Sequence, residues 1–184
     1  RYRMTEDEIL ACAHETVGYG YGTIVLQSGE DYGIKADWLA RVIRRIKVET
    51  NLAVTLSLGE RPHEELAMWR AAGADRYLMR FETSDAELYA RIHPPVGNKV
   101  SDRFGILKDL KDLGFETGGG VMVGIPGQSY ASLAKDIDLF RRLDLDMIGV
   151  GPYIPHPETP LGTGDMSFEI APDEQVPSTE EMVY

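Results

Sequence analysis

Cysteine is almost absent from this sequence, since Cys12 is the one cysteine among 184 residues. One thiol forms neither an internal disulfide nor an all-cysteine metal site, so no metal ligands are assigned within this chain. The shortage of cysteine also favours a cytoplasmic location. Cys12 falls in a predicted helix, and a core position is expected for it because free cysteine behaves as a small apolar residue.

Long hydrophobic runs are absent as well. No stretch approaches the roughly 20 apolar residues of a membrane span, and no signal-peptide pattern is visible, so we expect no membrane association. Positive charge is scarce, since the sequence has 19 Lys and Arg residues and 30 Asp and Glu residues, which gives a formal net charge of −11. A nucleic-acid partner is therefore not expected, because phosphate binding needs clustered cations. A solvated acidic surface is the ordinary explanation of such a balance.

Helix and strand patterns alternate along the chain, without a linker between them. With 43% hydrophobic residues the chain can build a sizeable core, so residues 1–184 are predicted to form a single domain. Strands that are apolar on both faces and alternate with amphipathic helices indicate a parallel sheet. About five βα units result, and they fit either a doubly wound sheet or a (β/α)8 barrel. The predicted strands cover 23–26, 52–56, 76–80, 115–123 and 146–150.

Capping signals and apolar periodicity predict the helices. Thr5-x-x-Glu8 and Ser84-x-x-Glu87 have the spacing of capping boxes, Pro62 suits a first helical turn, and a further helix begins near Ser129. A last helix is predicted over 173–184. The inward faces are predicted to consist of Ile9, Leu10 and Ala13; Trp38, Leu39, Val42, Ile43 and Ile46; Leu66 and Trp69; Ile106, Leu107, Leu110 and Leu113; and Leu133, Ile137 and Phe140.

Polar residues follow several predicted strands, at the sheet edge where α/β proteins bind ligands. Gly29 exposes backbone groups beside Ser28, and the carboxylate of Glu30 could hold an ammonium group; an acidic loop that caps the next helix is the alternative. Thr55 and Ser57 are two apart, so they share one face of a strand. Their hydroxyls could serve a substrate, or Thr55 could be merely structural.

Charged residues complete this edge. Arg80 and Glu82 are two apart at a strand end, where buried charge needs a ligand or a partner, and a structural salt bridge between them is the alternative. Arg103 lies in the first turn of its predicted helix, and its guanidinium could bind a carboxylate through two hydrogen bonds. An ordinary surface arginine is the alternative interpretation. Gly124 and the glycines at 118–120 could admit an adenosine or a phosphate, but their spacing matches neither the Walker nor the Rossmann pattern.

Taken in order, these strand ends resemble the HydE family, the radical S-adenosylmethionine (SAM) maturases of FeFe-hydrogenase. The resemblance covers nearly the whole chain. The matching segments are IVLQSGED at 24–31, VTLSLGE at 54–60, AGADRYLMRFET at 72–83, MVGIPGQ at 122–128 and GVGPYIPHPETPL at 149–161. Single pieces such as the Ser-Gly-Glu at 28–30 are shared with biotin synthases and methylornithine synthases, whereas the combination is specific.

The resemblance implies a (β/α)8 TIM-type barrel of which this chain is a partial, central portion, with the first and last units missing. It implies a 4Fe-4S cluster on a Cys-x3-Cys-x2-Cys loop and one-electron cleavage of SAM to methionine and a 5′-deoxyadenosyl radical. The substrate would be an iron-containing small molecule, with other hydrogenase maturases as partners. The three-cysteine motif is absent here and is expected upstream, so the chain alone is expected to be inactive.

The same resemblance assigns roles to individual residues. The SAM contacts are Ser28, Gly29 and Glu30 at the amine, Arg103 at the carboxylate, Glu82, and Gly124 near the adenosine; the substrate contacts are Thr55, Ser57 and Arg80. Phe81 stands where the family is expected to have histidine, so polar contacts near the adenosine differ.

Three other functions remain compatible with the pattern. The nearest is another radical enzyme of the biotin synthase group, such as a methylornithine synthase-like mutase. The second is a cluster-free lyase- or aldolase-type barrel, whose strand-end lysine the chain lacks. The third is a non-catalytic binding protein, for which the charged strand ends would be an unexplained cost.

Overall fold

Residues 2–93 and 101–164 are described by the structure, a computed structural model. The helices are α1 Glu6–Gly18, α2 Ala36–Glu49, α3 His63–Ala71, α4 Ala86–Ile92, α5 Arg103–Asp112, α6 Tyr130–Arg142 and α7 Pro160–Thr163. The strands are β1 Thr23–Gln27, β2 Ala53–Ser57, β3 Arg76–Leu78, β4 Glu116–Val123 and β5 Met147–Pro152. The helix predicted over 173–184 lies outside the described residues.

The strands form one sheet in the order β1-β2-β3-β4-β5. β2 pairs with β1 in parallel, and the same holds for β2 with β3 and for β3 with β4. This confirms the predicted parallel α/β sheet. A doubly wound fold reverses its strand order at a switch point, whereas a (β/α)8 barrel adds each strand beside the last. The sequential order therefore selects the partial TIM-type barrel.

The chain divides into two compact units. The first consists of Arg1–Met79 and Arg103–Gly118, and the second of Arg80–Asp102 and Gly119–Tyr184. In the first unit the apolar faces of the helices pack against the strands. Its core is built from Leu39, Val42, Ile43 and Ile46 of α2, Val54 and Leu56 of β2, Leu66 and Trp69 of α3, Tyr77 of β3, and Leu107 and Leu110 of α5.

The start of α1 confirms the predicted capping box. The Thr5 side chain accepts a hydrogen bond from the backbone of Glu8, and the Glu8 carboxylate accepts one from the backbone of Thr5. The predicted burial of Cys12 is wrong, because its side chain is exposed. Residue 12 is one position, or about 100° around the helix, from the buried Ala13, and this turns it away from the inward face.

Two details of the second unit differ from the sequence prediction. Helix α4 is capped by Asp85 rather than Ser84, since the Asp85 carboxylate accepts hydrogen bonds from the backbone of the first turn. Helix α6 begins after Ser129 as predicted, but Ile137 is 67% exposed rather than inward. The buried face is formed instead by Ser132, Asp136 and Phe140, which are four apart and so lie on one side of the helix.

Candidate functional site

Three charged side chains meet at the ends of β1 and β2 in the first unit. Arg103, the first residue of α5, donates from Nε to Glu60 Oε1 at 3.1 Å and from Nη2 to Glu30 Oε1 at 3.3 Å. The Arg103 and Glu60 side chains are 14% and 8% exposed, and Glu30 is 39% exposed. The structure thus brings together Glu30 and Arg103, both of which the sequence analysis names as site residues, and adds Glu60, which was not predicted as one.

The carboxylate of Glu30 is held by the backbone of the next strand end. The Glu60 amide donates to both Glu30 oxygens, at 3.2 and 3.0 Å, and the Tyr32 hydroxyl donates to Oε2 at 3.0 Å. Gly59 makes this approach possible. It has φ +73°, and a Cβ at this position would lie 2.4 Å from the Glu30 carboxylate. Only glycine permits both the backbone conformation and the contact.

The Tyr77 hydroxyl holds this turn in place by donating a hydrogen bond to the carbonyl oxygen of Gly59 at 2.8 Å. Burial raises the pKa of Tyr77, so the phenol stays protonated and remains a hydrogen-bond donor at physiological pH. The turn that carries Gly59 and Glu60 is therefore anchored in the core.

A buried guanidinium organises the loop that follows β1. Arg61 donates to the carbonyl oxygens of Asp31 at 3.0 Å and Ile34 at 2.9 Å, and it pairs with Glu65 at 2.6 Å. Its charge lies near the faces of Trp69 and Tyr32, at 5.1 and 5.8 Å from the ring centres. These contacts hold the loop immediately after Glu30, so Arg61 contributes to the geometry of the site without belonging to it.

The remaining predicted residues of the first unit lie within β2 or directly after β1. Ser28 donates from its hydroxyl to the Gly29 carbonyl at 3.0 Å, and Gly29 has φ +62°. Thr55 is 5% exposed, and Ser57 is half-buried. In the β1–β2 register, Thr55 pairs with Val25 and Ser57 with Gln27. The two hydroxyl residues therefore occupy alternate positions of one strand, as their spacing predicts.

In the second unit, Arg80 and Glu82 form an ion pair with Nη2 and Oε2 3.2 Å apart. Arg80 also donates from Nη2 to the carbonyl oxygen of Val121. The backbone amides of Phe81 and Glu82 both donate to the Gly120 carbonyl, and Glu82 has φ +65°, a left-handed conformation that is uncommon for a residue with a side chain. The structural ion pair considered from the sequence is thus present, and the carboxylate is presented by a strained backbone.

Gly124 lies at the end of β4 with φ +89°. Its amide donates to the side-chain oxygen of Gln128 at 2.8 Å, and the Gln128 side-chain nitrogen donates to the Met122 carbonyl at 2.9 Å. The fully buried Gln128 therefore shapes the turn after β4. Gly124 therefore lies at a strand end, as predicted, whereas Gln128, whose side chain accepts from its amide, was not predicted as part of the site.

A buried carboxylate supports the segment after Glu82. Asp136 of α6 is fully buried and accepts a hydrogen bond from the backbone amide of Ser84. Burial raises the pKa of Asp136 above its ordinary value, because desolvation disfavours the charged form.

We expect Asp136→Asn to change how stability depends on pH. A raised pKa in the folded protein favours the protonated carboxyl, so its contribution to stability is largest below the unfolded-chain pKa of about 3.8 and is lost as the pH rises through the folded pKa. Asparagine keeps an oxygen for the Ser84 amide and carries no charge. Urea unfolding from pH 4 upward should show the variant gaining stability over the wild type.

Asp138→Asn is the matched control, since Asp138 lies exposed on the same helix. It should leave this part of the pH curve in place. If the Asp136→Asn curve follows the wild-type curve at every pH, the buried carboxyl does not carry the dependence.

Within residues 2–93 and 101–164, no group of three or more His, Cys, Asp or Glu is arranged to hold a metal ion. Among the same residues, no helix is long and apolar enough to cross a membrane.

The chain resembles known proteins over most of its length. The family model described as the radical SAM superfamily matches residues 1–158. The chain is 43% identical to the [FeFe] hydrogenase maturase subunit HydE of Thermotoga maritima, over 99% of this chain and 55% of the relative. It is 29% identical to a 3-methylornithine synthase of Methanosarcina acetivorans, over 88% of this chain and 46% of the relative. The chain thus spans about half the length of these relatives.

Solved structures agree with these matches. The crystal structure of methylornithine synthase (PylB) superposes with a TM-score of 0.80 at 25% identity, over 100% of this chain and 52% of that chain. The maturase HydG of [FeFe]-hydrogenase superposes with a TM-score of 0.71 at 18% identity, over 98% of this chain and 41% of that chain, which supports the fold alone. Because the family model spans most of its length, the chain belongs to the radical SAM superfamily.

Proposed function

We propose that the protein containing this chain is a HydE-type enzyme that cleaves SAM reductively to methionine and a 5′-deoxyadenosyl radical during maturation of the FeFe-hydrogenase H-cluster. The observation that carries the proposal is the arrangement of Glu30, Glu60 and Arg103. The 43% identity to the Thermotoga maritima maturase supports the choice of reaction. The whole protein is proposed to work in the cytoplasm with other maturases, on an iron-containing small molecule.

The hydrogen-bonding groups at the ends of β1 and β2 fit the amino-acid part of SAM. An α-amino acid carries a nitrogen that donates hydrogen bonds and a carboxylate that accepts them. Glu30, with the backbone of Ser28 and Gly29, supplies acceptors for the amine, and Arg103 supplies a planar pair of donors for the carboxylate. The amine and carboxylate of the ligand would replace the contact between Arg103 and Glu30, while the contact between Arg103 Nε and Glu60 would be kept.

The other proposed roles rest on the resemblance of the strand ends. Glu82 is proposed as a further SAM contact and Gly124 as the glycine beside the adenosine. Thr55, Ser57 and Arg80 are proposed to face the substrate. All of these residues lie at or near the ends of β2, β3 and β4.

The residues present do not fit the second cofactor of the family. A 4Fe-4S cluster needs several thiolate ligands, whereas Cys12 is the one cysteine of the chain and lies exposed on α1. The cluster ligands are proposed to lie elsewhere in the whole protein. The single-domain organisation of residues 1–184 likewise stays a prediction.

A 3-methylornithine synthase is the second candidate, because PylB has a TM-score of 0.80 over the whole chain. The identity of 29% to such a synthase, against 43% to HydE, favours the maturase. Membership of the radical SAM superfamily disfavours a cluster-free lyase or aldolase barrel and a non-catalytic binding protein.

The proposal is tested with the full-length protein, reconstituted with iron and sulfide under anaerobic conditions. Given SAM and dithionite, it should form methionine and 5′-deoxyadenosine, which chromatography measures. Glu82→Gln should weaken SAM binding in calorimetry, by about tenfold for the loss of a charged hydrogen bond. Arg80→Ala should leave SAM affinity unchanged and lower turnover of the iron substrate.

Exposed residues of the second unit provide the controls. Glu87→Gln and Arg141→Ala remove charges of the same type from the surfaces of α4 and α6, and both should behave as wild type. A full-length protein that binds no SAM would refute the proposed function. Normal SAM binding by Glu82→Gln would remove that residue from the site.

A further inference from the structure

Glu60 connects the two charged groups to which SAM binding is proposed. Its backbone amide donates to both oxygens of Glu30, and its own carboxylate accepts from Nε of Arg103 at 3.1 Å. The residue is 6% exposed. It directly follows Gly59, whose carbonyl accepts the buried Tyr77 hydroxyl. One buried residue on an anchored turn therefore holds both Glu30 and Arg103.

The amine and carboxylate of a bound amino acid do not require this second glutamate. Glu30 alone offers two oxygens to an amine, and Arg103 alone offers a fork to a carboxylate. Glu60 and Glu30 share the single guanidinium of Arg103, so these three side chains together carry one net negative charge, and burial leaves that charge poorly screened by solvent and salt. Its effect on a ligand depends on the net charge of the ligand near the site.

We propose that Glu60 is a specificity-determining residue that makes the site prefer SAM to S-adenosylhomocysteine. This inference rests on the proposed function. The two molecules share the amino acid, the ribose and the adenine, and they differ by one methyl group and the positive charge on sulfur. A fixed negative charge beside the amino-acid site stabilises the sulfonium and gives no such benefit to the neutral thioether.

The experiment measures the dissociation constants of both ligands on the full-length reconstituted protein by anaerobic calorimetry without reductant, so that SAM is not cleaved. The readout is the ratio of the two constants. Any loss of shape in the shared subsites weakens both ligands and cancels in the ratio. Glu60→Gln keeps the size of the side chain and removes its charge, and it should reduce the preference for SAM about three- to tenfold.

Two further variants serve as controls for this result. Glu64→Gln makes the same change at an exposed position on α3, four residues from Glu60, and should leave the ratio unchanged. Glu60→Asp retains the charge and should keep most of the preference. If Glu60→Gln does not fold, Glu60→Met removes the charge with a side chain of similar length and is measured instead.

Two outcomes would overturn the inference. In the first, the wild type binds both ligands equally, and then there is no preference to explain. In the second, the charge-removing variant keeps the wild-type ratio, whether or not it weakens both ligands, which would make Glu60 a positioning residue only. A wild type that binds neither ligand is a different failure, because it refutes the proposed function itself.

Discussion

Replacing Arg103 by Gln is expected to lower the affinity of the full-length protein for SAM by about 10- to 100-fold. The change removes the cation proposed to hold the SAM carboxylate. It also leaves the carboxylates of Glu60 and Glu30 without the guanidinium that lies within 3.3 Å of both. Two nearby carboxylates then repel the carboxylate of the ligand. Calorimetry on the reconstituted protein measures the effect.

Two further variants separate geometry from charge. Arg103→Lys retains the charge but loses the planar fork, so it should recover only part of the affinity. Lys108→Gln removes a cation from the same helix, at a side chain that is 73% exposed, and should bind SAM as the wild type does. If Arg103→Gln binds SAM normally while its melting temperature is unchanged, Arg103 has no part in the site.

Replacing Arg61 by Met is expected to lower the free energy of unfolding by about 3–5 kcal/mol, because two carbonyl oxygens and the half-buried Glu65 carboxylate all lose their buried donor. The Arg61 side chain is 3% exposed, so water cannot replace its contacts. The carbonyl oxygens of Asp31 and Ile34 lose a donor each, and Glu65 loses its counter-ion. Urea denaturation of the full-length protein gives the free energy.

Arg41→Met is the control for this change. Arg41 lies on α2 with a side chain that is 53% exposed, and it meets Asp37 at 3.5 Å. An exposed pair of this kind contributes about 0.5 kcal/mol or less. A loss below about 1 kcal/mol in Arg61→Met would mean that the loop after β1 is held by other contacts.

Features encoded over a few neighbouring residues were predictable from the sequence. The Thr5 and Glu8 capping box forms as predicted, and Ser129 caps α6. Both depend on contacts three positions apart, which a local pattern contains in full. The parallel sheet also followed from apolar strands that alternate with helices. The choice between barrel and doubly wound sheet required the strand order, which no local pattern encodes.

Contacts between distant positions explain what was missed. Arg61 reaches a carbonyl 30 positions away, and Asp136 reaches an amide 52 positions away. The same long-range contact explains the error at Ile137. Asp136 occupies the inward position on α6 because its carboxylate accepts a hydrogen bond from the Ser84 amide, so the adjacent Ile137 is turned toward solvent. Glu60 had one local signal, since it follows a strand end and a glycine, as Glu30 does.

The left-handed backbone of Glu82 has a practical consequence for protein engineering. A non-glycine residue at φ +65° costs about 1–2 kcal/mol relative to a relaxed conformation, and glycine avoids most of that cost. A directed-evolution screen for heat resistance would therefore reward glycine at this position. The carboxylate that we propose as a SAM contact would be lost in exchange, so selection for thermostability would act against the proposed function. Mutant libraries designed to increase heat resistance should therefore leave residue 82 unchanged.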